Sequence, residues 1–340
     1  MSEELVLLRD TARRIFSENC PAEVVERAEA GDRPDELWQT LEAAGLTSAG
    51  IGEAAGGVGG EPHWGVAVIS EAARFAAPVP IAETWLAARI LEASAQSSPA
   101  GRMTVASGSF ELKEDRVFGE ATAVPFAAWV DHFVFVGVNF VALVAATDVG
   151  VELVSNIAGE PSADVNVDAV PISVANATAQ AQLLEEGAVV RAGMIAGALE
   201  FMLESGVQFA SERDQFGRPI SKFQAIQHQL AMMAGEVAAA RRVADLAAAA
   251  LTKSGTAAFS GLAAAAKARC GEAAGVCSDI AHQVHGAMGY TRDHPLNLRS
   301  RRIWRWRDDF GHERFWNQRL GARALERGAD DLWGFLTDLS

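Results

Sequence analysis

A short stretch, ERDQFGRPISKFQ, concentrates residues that can contact an anion. Arg213 lies beside Gln215 and Phe216 in it. A guanidinium presents a planar, permanently charged fork that matches phosphate oxygens. From this stretch alone, a surface ion pair of Arg213 with Asp214 or Glu212 is favoured over a phosphate contact.

A second stretch, QVHGAMGYTRDHPL, follows further along the chain and carries Gln283, Gly286 and Gly289. Glycine allows a backbone to approach a ligand closely, because it has no Cβ. A glutamine amide can donate and accept hydrogen bonds beside it. The residue types of these two stretches alone do not identify a ligand.

Helix signals place the first stretch between two helices. Gly217 is a helix stop signal, and Pro219 follows it. Ser221 and Gln224 have the spacing of a capping box and predict the start of the next helix. We therefore expect one helix to run to Gly217 and another to open at Phe223.

The composition is that of a folded globular protein. The chain has 340 residues, 49% hydrophobic content and a mean hydropathy of +0.09. Its net charge is −15, which disfavours nonspecific binding to nucleic acid or to an anionic membrane. Three cysteines without a Cys-x-x-Cys pair argue against a disulfide framework and a zinc ribbon.

The sequence predicts a cytoplasmic protein. Its N-terminus, MSEELVLLRDTARRIF, is acidic and amphipathic and lacks the regions of a signal peptide. The most apolar run, FVFVGVNFVALVAA at 133–146, is shorter than the roughly 20 residues of a membrane helix. We expect it to form two short strands.

Hydrophobic periodicity divides the chain into three parts. Residues 1–97 have the pattern of an all-helical domain, with EELVLLRDTARRIF, PDELWQTLEAAGL, GVAVISEAARFAA and ETWLAARILEASA as its helices. The glycine-rich stretch at 50–60 follows a helix end rather than a strand, so it is predicted to be a loop and not a dinucleotide fingerprint. Residues 98–180 are rich in strand-forming and turn residues, with alternation in HFVFV and VELVS.

Residues 181–340 predict a four-helix bundle. The first helix reaches Gly217, the third covers about 257–285 and the fourth about 296–325. The second carries a stripe of apolar residues at helical spacing, namely Phe223, Ile226, Leu230, Met233 and Val237. The predicted fold class is mainly α with a small β domain.

RDQFGRPISKFQ and QVHGAMGYTRDHPL closely resemble the paired C-terminal signatures of the acyl-CoA dehydrogenase family. LWQTLEAAGLTSAGIGEAAGGVGG and DRVFGEATAVPFAAWVDHFVFV are similar to its first helical domain and its middle β domain. The resemblance implies an FAD cofactor, with its flavin ring in a neighbouring subunit. It assigns the pyrophosphate and adenosine end of the FAD to six residues: Arg213, Gln215, Phe216, Gln283, Gly286 and Gly289.

The chain departs from the family pattern in two ways. Its middle domain lacks the Thr-Glu-Pro and Trp-Ile-Thr types of stretch that line the flavin ring and the substrate. It also lacks the carboxylate that removes a proton next to the thioester: Phe310 aligns with the usual glutamate and Gly187 with the alternative position. Carboxylates adjoin both positions, at Asp309 and at Glu185 with Glu186, but a neighbour on a helix points elsewhere.

These departures imply a partner. The chain resembles the smaller, β-type subunit of actinobacterial heteromeric acyl-CoA dehydrogenases of the sterol side-chain type, which form α2β2 assemblies with FAD at each αβ interface. The resemblance therefore implies an acyl-CoA substrate and a longer catalytic partner, with no catalytic residue in this chain. Two alternatives stay open: a non-catalytic scaffold with this fold, and a self-sufficient homomeric dehydrogenase that uses Asp309.

Two weaker patterns predict no further site. RSRRIWRWRDDFGHERFW, residues 299–316, combines arginine with tryptophan, but ion pairing with acidic helices is favoured over nucleic-acid binding in so acidic a chain. His282 and His285 have a spacing that can hold a metal, yet no second ligand pair supports one. We expect these histidines to line an interface or the cofactor.

Overall fold

The structure is a computed structural model that describes residues 2–291 and 294–337. The chain forms two compact units, one of Met1–Ile69 with Ala77–Gly187 and one of Ser70–Ala76 with Ala188–Ser340. Helices and a small β region make up the chain, which confirms the mainly α fold class. The three-domain division at 97/98 and 180/181 stays a prediction.

The N-terminal region is helical, as predicted. The helices are α1 (Glu3–Asn19), α2 (Ala22–Glu29), α3 (Asp35–Ala43), α4 (Pro62–Arg74) and α5 (Ile81–Ala93). The short α2 had no sequence prediction, because two turns carry too few apolar positions to show a period. Ten of the thirteen residues of α5 are buried, so this helix forms much of the core of its unit.

The glycine-rich stretch at 50–60 is a loop with one 3₁₀ turn, at Glu53–Ala55, which confirms its prediction. Gly52 donates its backbone N–H to the Glu92 carboxylate at 2.9 Å. A Cβ on Gly57 would lie 2.2 Å from the Ile51 carbonyl oxygen. Close backbone packing therefore explains this glycine without a bound dinucleotide.

Eight strands form two four-stranded sheets. The first sheet has the order β1 (Met103–Ser107), β4 (His132–Val136), β5 (Phe140–Ala145), β8 (Ser173–Asn176). The second has the order β2 (Ser109–Lys113), β3 (Arg116–Pro125), β7 (Ser162–Ala169), β6 (Val149–Val154). Apolar residues of both sheets share one core cluster, so the sheets pack as a sandwich.

The apolar run at 133–146 forms β4, a turn and most of β5, as predicted. Within the described ranges, 2–291 and 294–337, no helix is both long enough and apolar enough to cross a membrane. HFVFV forms a strand, as predicted, and residues 133–136 are all buried. β4 lies inside its sheet, with the sandwich core on one face and α5 on the other.

The second unit contains the bundle helices. Their bounds are α6 (Gln180–Glu212), α7 (Gln224–Ala249), α8 (Ala257–His285), α9 (Leu296–Asp308), α10 (Glu313–Arg327) and α11 (Leu332–Thr337). The bounds of α8 match the prediction for the third helix. The single fourth helix at 296–325 was wrong, since the chain breaks between α9 and α10, where Phe310 and Gly311 both have a positive φ (54° and 90°).

The link between α6 and α7 also differs from its prediction. The helix ends at Glu212, and β9 (Asp214–Gln215) pairs with β10 (Arg218–Pro219) in a hairpin. Gly217 is a turn residue of this hairpin and not a helix stop. The capping box was wrong as well: Phe223 precedes α7, and no side chain caps it.

Candidate functional site

The first predicted stretch lies at the exposed end of α6 and in the hairpin. Arg213, Gln215 and Phe216 are all exposed, and the Phe216 side chain is 91% exposed. Within residues 2–291 and 294–337, the Arg213 guanidinium makes no hydrogen bond or ion pair. The nearby Glu212 carboxylate instead accepts from Gln208 at 2.9 Å. The surface ion pair considered for Arg213 is therefore not formed between these residues.

The hairpin presents Phe216 at its tip. Phe216 and Gly217 both have a positive φ, at 54° and 80°, as in a type I′ turn. A large side chain rarely occupies that region, so the turn holds Phe216 in a strained conformation. Behind the tip, the Phe216 ring meets the Phe223 ring edge-on at 6.2 Å, and the Arg218 guanidinium lies 4.3 Å from the Phe223 ring centroid.

The second predicted stretch begins in the last turn of α8. Gln283 is exposed, and Gly286 ends the helix with φ 58° and ψ −142°. Around Gly286 a Cβ would meet no atom within 4 Å, so the backbone there is open to a ligand. Gly289 is buried, and its Cβ would lie 3.0 Å from the His285 Cβ. Packing within the fold therefore explains Gly289. Arg292 and Asp293 of this stretch lie outside the described residues.

A histidine cluster joins the ends of α6 and α8. His285 contacts the Ser205 hydroxyl through Nε2 at 3.2 Å, and its Nδ1 lies 2.7 Å from the Ala281 carbonyl oxygen. Its ring centroid is 4.7 Å from that of Phe209. Phe209 precedes Arg213 by four residues, which is about one helical turn. The two predicted stretches thus extend from neighbouring helix ends of one unit.

The surroundings of the cluster favour the neutral form of its histidines. Burial lowers the pKa of His282, His285 and His294 below the usual value of 6.5. The His282 ring stacks on Tyr290 at 4.4 Å, and its buried Nδ1 has no hydrogen-bond partner in the described chain. In that same part of the chain, no group of three or more potential ligands could hold a metal ion.

Phe310, which the resemblance aligns with the usual catalytic glutamate, lies in the break between α9 and α10. Its neighbour Asp309 accepts from Arg191 Nε at 3.0 Å and from Arg305 Nε at 2.9 Å, one arginine on each carboxylate oxygen. The Arg191 guanidinium also lies 5.5 Å from the Phe310 ring centroid. Both oxygens of the Asp309 carboxylate are held by guanidinium groups, so this carboxylate is a structural ion-pair partner rather than a free base.

Lys267 was missed by the sequence analysis and stabilises this break. Its side chain is fully buried on α8, and Nζ donates to the carbonyl oxygens of Arg307 at 2.6 Å and Gly311 at 2.7 Å. It therefore caps the end of α9 from another helix. Burial lowers the pKa of the Lys267 ammonium to about 8. The available signal was a single lysine in an otherwise apolar stretch, AAAAKARC.

Two buried carboxylates, Glu185 and Glu186, adjoin the alternative base position, Gly187. Glu186 is completely buried, and its two oxygens accept from Arg89 Nε and Nη2, both at 3.1 Å. Gln182 donates to the same carboxylate at 2.9 Å. Glu185 is buried too. The Glu186 carboxylate is therefore committed to a structural ion pair.

The middle sandwich has short connections where the sequence analysis found the flavin-lining stretches missing. Gly108 alone links β1 to β2, and a two-residue turn, Glu114–Asp115, links β2 to β3. Both turn residues have a positive φ, as a type I′ hairpin requires. No loop long enough to cover a flavin ring follows β1 in this described region.

The family is shown by domain matches. Residues 2–98 match the acyl-CoA dehydrogenase N-terminal domain, and residues 177–307 match the acyl-CoA dehydrogenase C-terminal domain. Together the two domains cover about two thirds of the chain. The chain belongs to the acyl-CoA dehydrogenase family, whose members are oxidoreductases that carry FAD.

Individual relatives extend this similarity. Acyl-CoA dehydrogenase IpdE2 of Mycobacterium tuberculosis is 29% identical over 303 residues, which cover 87% of this chain and 89% of that protein. The ChsE4–ChsE5 complex of the same organism contains a chain with a TM-score of 0.87 and 23% identity, over 97% of this chain and 99% of that one. A variant of the Tcur3481–Tcur3483 steroid ACAD has a TM-score of 0.86 and 25% identity, over 95% and 98% of the two chains.

Proposed function

We propose that this chain is the smaller, β-type subunit of an α2β2 acyl-CoA dehydrogenase, which introduces an α,β double bond into an acyl-CoA thioester. The observation that carries the proposal is the occupied base position. By the family resemblance Phe310 stands at the position of the glutamate, and the neighbouring Asp309 is held between Arg191 and Arg305. A chain with this fold but without a free carboxylate there needs one from a longer catalytic partner.

The residues of the two stretches fit the adenosine and pyrophosphate end of FAD. Arg213 offers a guanidinium without a partner in the described chain, Gln283 is exposed, and the backbone at Gly286 is open. Arg213 would hold the pyrophosphate, and Gln215, Phe216, Gln283 and Gly286 would complete the contacts, while Gly289 would serve the packing of the turn behind them. When bound, the flavin accepts a hydride from the carbon next to the one that loses its proton.

Similarity to one solved relative supports the proposed substrate class. The 25% identity to the Tcur3481–Tcur3483 steroid ACAD over nearly the whole chain supports a steroid side-chain CoA thioester as substrate. It also supports an assembly of two different chains. The short β1–β2 connection through Gly108 agrees with a flavin ring that is covered by the partner.

Flavin stoichiometry tests the shared site. We expect the chain expressed alone to be colourless or unstable, and the chain co-expressed with its partner to bind one FAD per αβ pair. The measurement is the absorption spectrum of each preparation against its protein concentration. A stable homo-oligomer with one FAD per chain would contradict the shared site, and a flavin-free αβ complex would favour the scaffold alternative.

Asp309→Asn separates the proposed subunit from a self-sufficient dehydrogenase. Because we place proton abstraction on the partner, we expect turnover of the reconstituted complex to stay within roughly tenfold of wild type. Removal of a true base reduces turnover by about two to four orders of magnitude. Steady-state turnover at saturating FAD distinguishes the two outcomes, and a loss of that size would place the base on this chain.

A further inference from the structure

The open side of the β-sandwich lies between its edge strands β6 and β8. Residues 146–148 connect β5 to β6, and residues 170–172 connect β7 to β8. Such short links span little more than the ~10 Å between packed sheets. They therefore place β6 and β8 at the edges of the two sheets on the same side of the sandwich.

The core-facing residues of β6 become exposed along the strand. Val149 is 9% exposed, Val151 is 38% and Leu153 is 72%. Cross-strand partners point to the same face of a sheet, and here the partners on β7 are buried core residues: Val167, Val165 and Ala163. The inner face of this sheet thus continues beyond its core without a cover from residues 2–291 or 294–337.

β8 repeats this arrangement on the opposite sheet. Val174 pairs with the buried core residue Ala142, yet it is 43% exposed. Ile172, which precedes β8 and donates its N–H to the Leu143 carbonyl oxygen at 2.7 Å, is 59% exposed. We call the exposed surface of four residues the apolar ledge: Val151, Leu153, Ile172 and Val174.

β6 is an edge strand whose one charged residue is Glu152. Such strands present unpaired backbone groups and commonly carry lysine or proline against further pairing, but the sequence here is VGVELV. On its outer face, Glu152 lies directly opposite Asp164. The Asp164 carboxylate accepts from the Ala123 N–H at 2.8 Å. The Glu152 carboxylate is therefore the negative charge that a cation on an added strand would meet.

We propose that the apolar ledge binds an extended segment of a partner protein, which pairs with β6 as an added strand. Its inward residues would be apolar and contact Val151 and Leu153. Its outward residues would be lysine or arginine and meet Glu152. Alternation of apolar and basic residues is the sequence pattern that satisfies both faces of an added strand. This inference is independent of the flavin proposal.

A second copy of this chain fits the ledge less well. Antiparallel pairing of β6 with another β6 would bring Glu152 close to its own copy, and like charges across a strand pair are destabilising. None of the described strands alternates apolar with basic residues along its length. Charge complementarity therefore favours a different protein.

Synthetic peptides test the proposal on the full chain. We expect a fluorescent peptide that alternates valine with lysine to bind saturably at physiological salt, as measured by anisotropy. Leu153→Asp should weaken binding by roughly tenfold or more, since it puts a charge on the apolar face. Leu325→Asp, at a side chain that is 84% exposed on α10, is the matched control and should bind like wild type.

Two further arms make the result decisive. A peptide of alternating valine and glutamate should not bind. If Leu153→Asp does not fold, Val151→Thr takes its place as the test variant. Threonine keeps the shape and strand propensity of valine, and this change should also weaken binding. The proposal is overturned by absent saturable binding, by equal binding of the two peptides, or by equal effects of the two aspartate variants. Wild-type self-association that Leu153→Asp abolishes, without peptide binding, would assign the ledge to a second copy.

Discussion

Replacing Arg213 by alanine lowers the affinity of the reconstituted complex for FAD by roughly 30-fold or more. The change removes a charge-assisted pair from a partly buried pyrophosphate, at a cost of about 2–5 kcal/mol. The Arg213 guanidinium has no partner within the described chain. Its replacement by alanine therefore removes a contact with FAD and breaks no surface ion pair. The measurement is a flavin titration of the apo-complex with wild-type partner throughout.

Three variants sharpen this test. Arg213→Lys should rescue binding only in part, because an ammonium is a point charge without the planar fork. Gln283→Ala should weaken FAD less than Arg213→Ala. Arg242→Ala, which removes an exposed arginine from α7, is the matched control and should bind FAD like wild type. Unchanged binding in Arg213→Ala would remove the main support for cofactor contact by this subunit.

The sequence predicted the elements whose signals are local. α8 shows the bounds expected from its periodicity, and the apolar run at 133–146 forms two strands because Gly137 and Asn139 interrupt it. The hairpin after α6 was missed because its turn is Phe216–Gly217, whereas the recognisable signal for such a turn is Asn-Gly or Asp-Gly. The resemblance located both stretches of the candidate site, but it gave no information on the turn geometry that exposes Phe216.

The remaining errors depend on contacts between distant residues. Helical periodicity continues from α9 into α10, and the break between them is stabilised by Lys267, about forty positions earlier in the chain. The ion pairs of Arg191 with Asp309 and of Arg89 with Glu186 likewise join different elements. A single sequence carries no signal for such pairs, although they decide which carboxylates can act as bases.

The pH dependence of stability should report the buried charge of Lys267. Its pKa is about 8 in the folded chain, against a usual value of 10.5. Below pH 8 the Lys267 side chain is charged in both the folded and the unfolded chain. Burial of this charge therefore lowers the free energy of unfolding by its full amount. Between pH 8 and 10.5 the folded chain releases this proton while the unfolded chain retains it, so the free energy of unfolding should rise by about 3 kcal/mol.

Lys267→Met should abolish this rise, because methionine fills a similar volume without a titrating group. Other groups that titrate in this range are common to both proteins, so the difference between their free energies of unfolding isolates Lys267. Denaturant unfolding at several pH values between 7.5 and 10.5 measures it, and Lys222→Met, at an exposed lysine, should retain the wild-type profile. Equal pH dependence in wild type and Lys267→Met would mean that Lys267 is not a buried cation. The α9–α10 break, and with it the position of Phe310, would then need another source of stability.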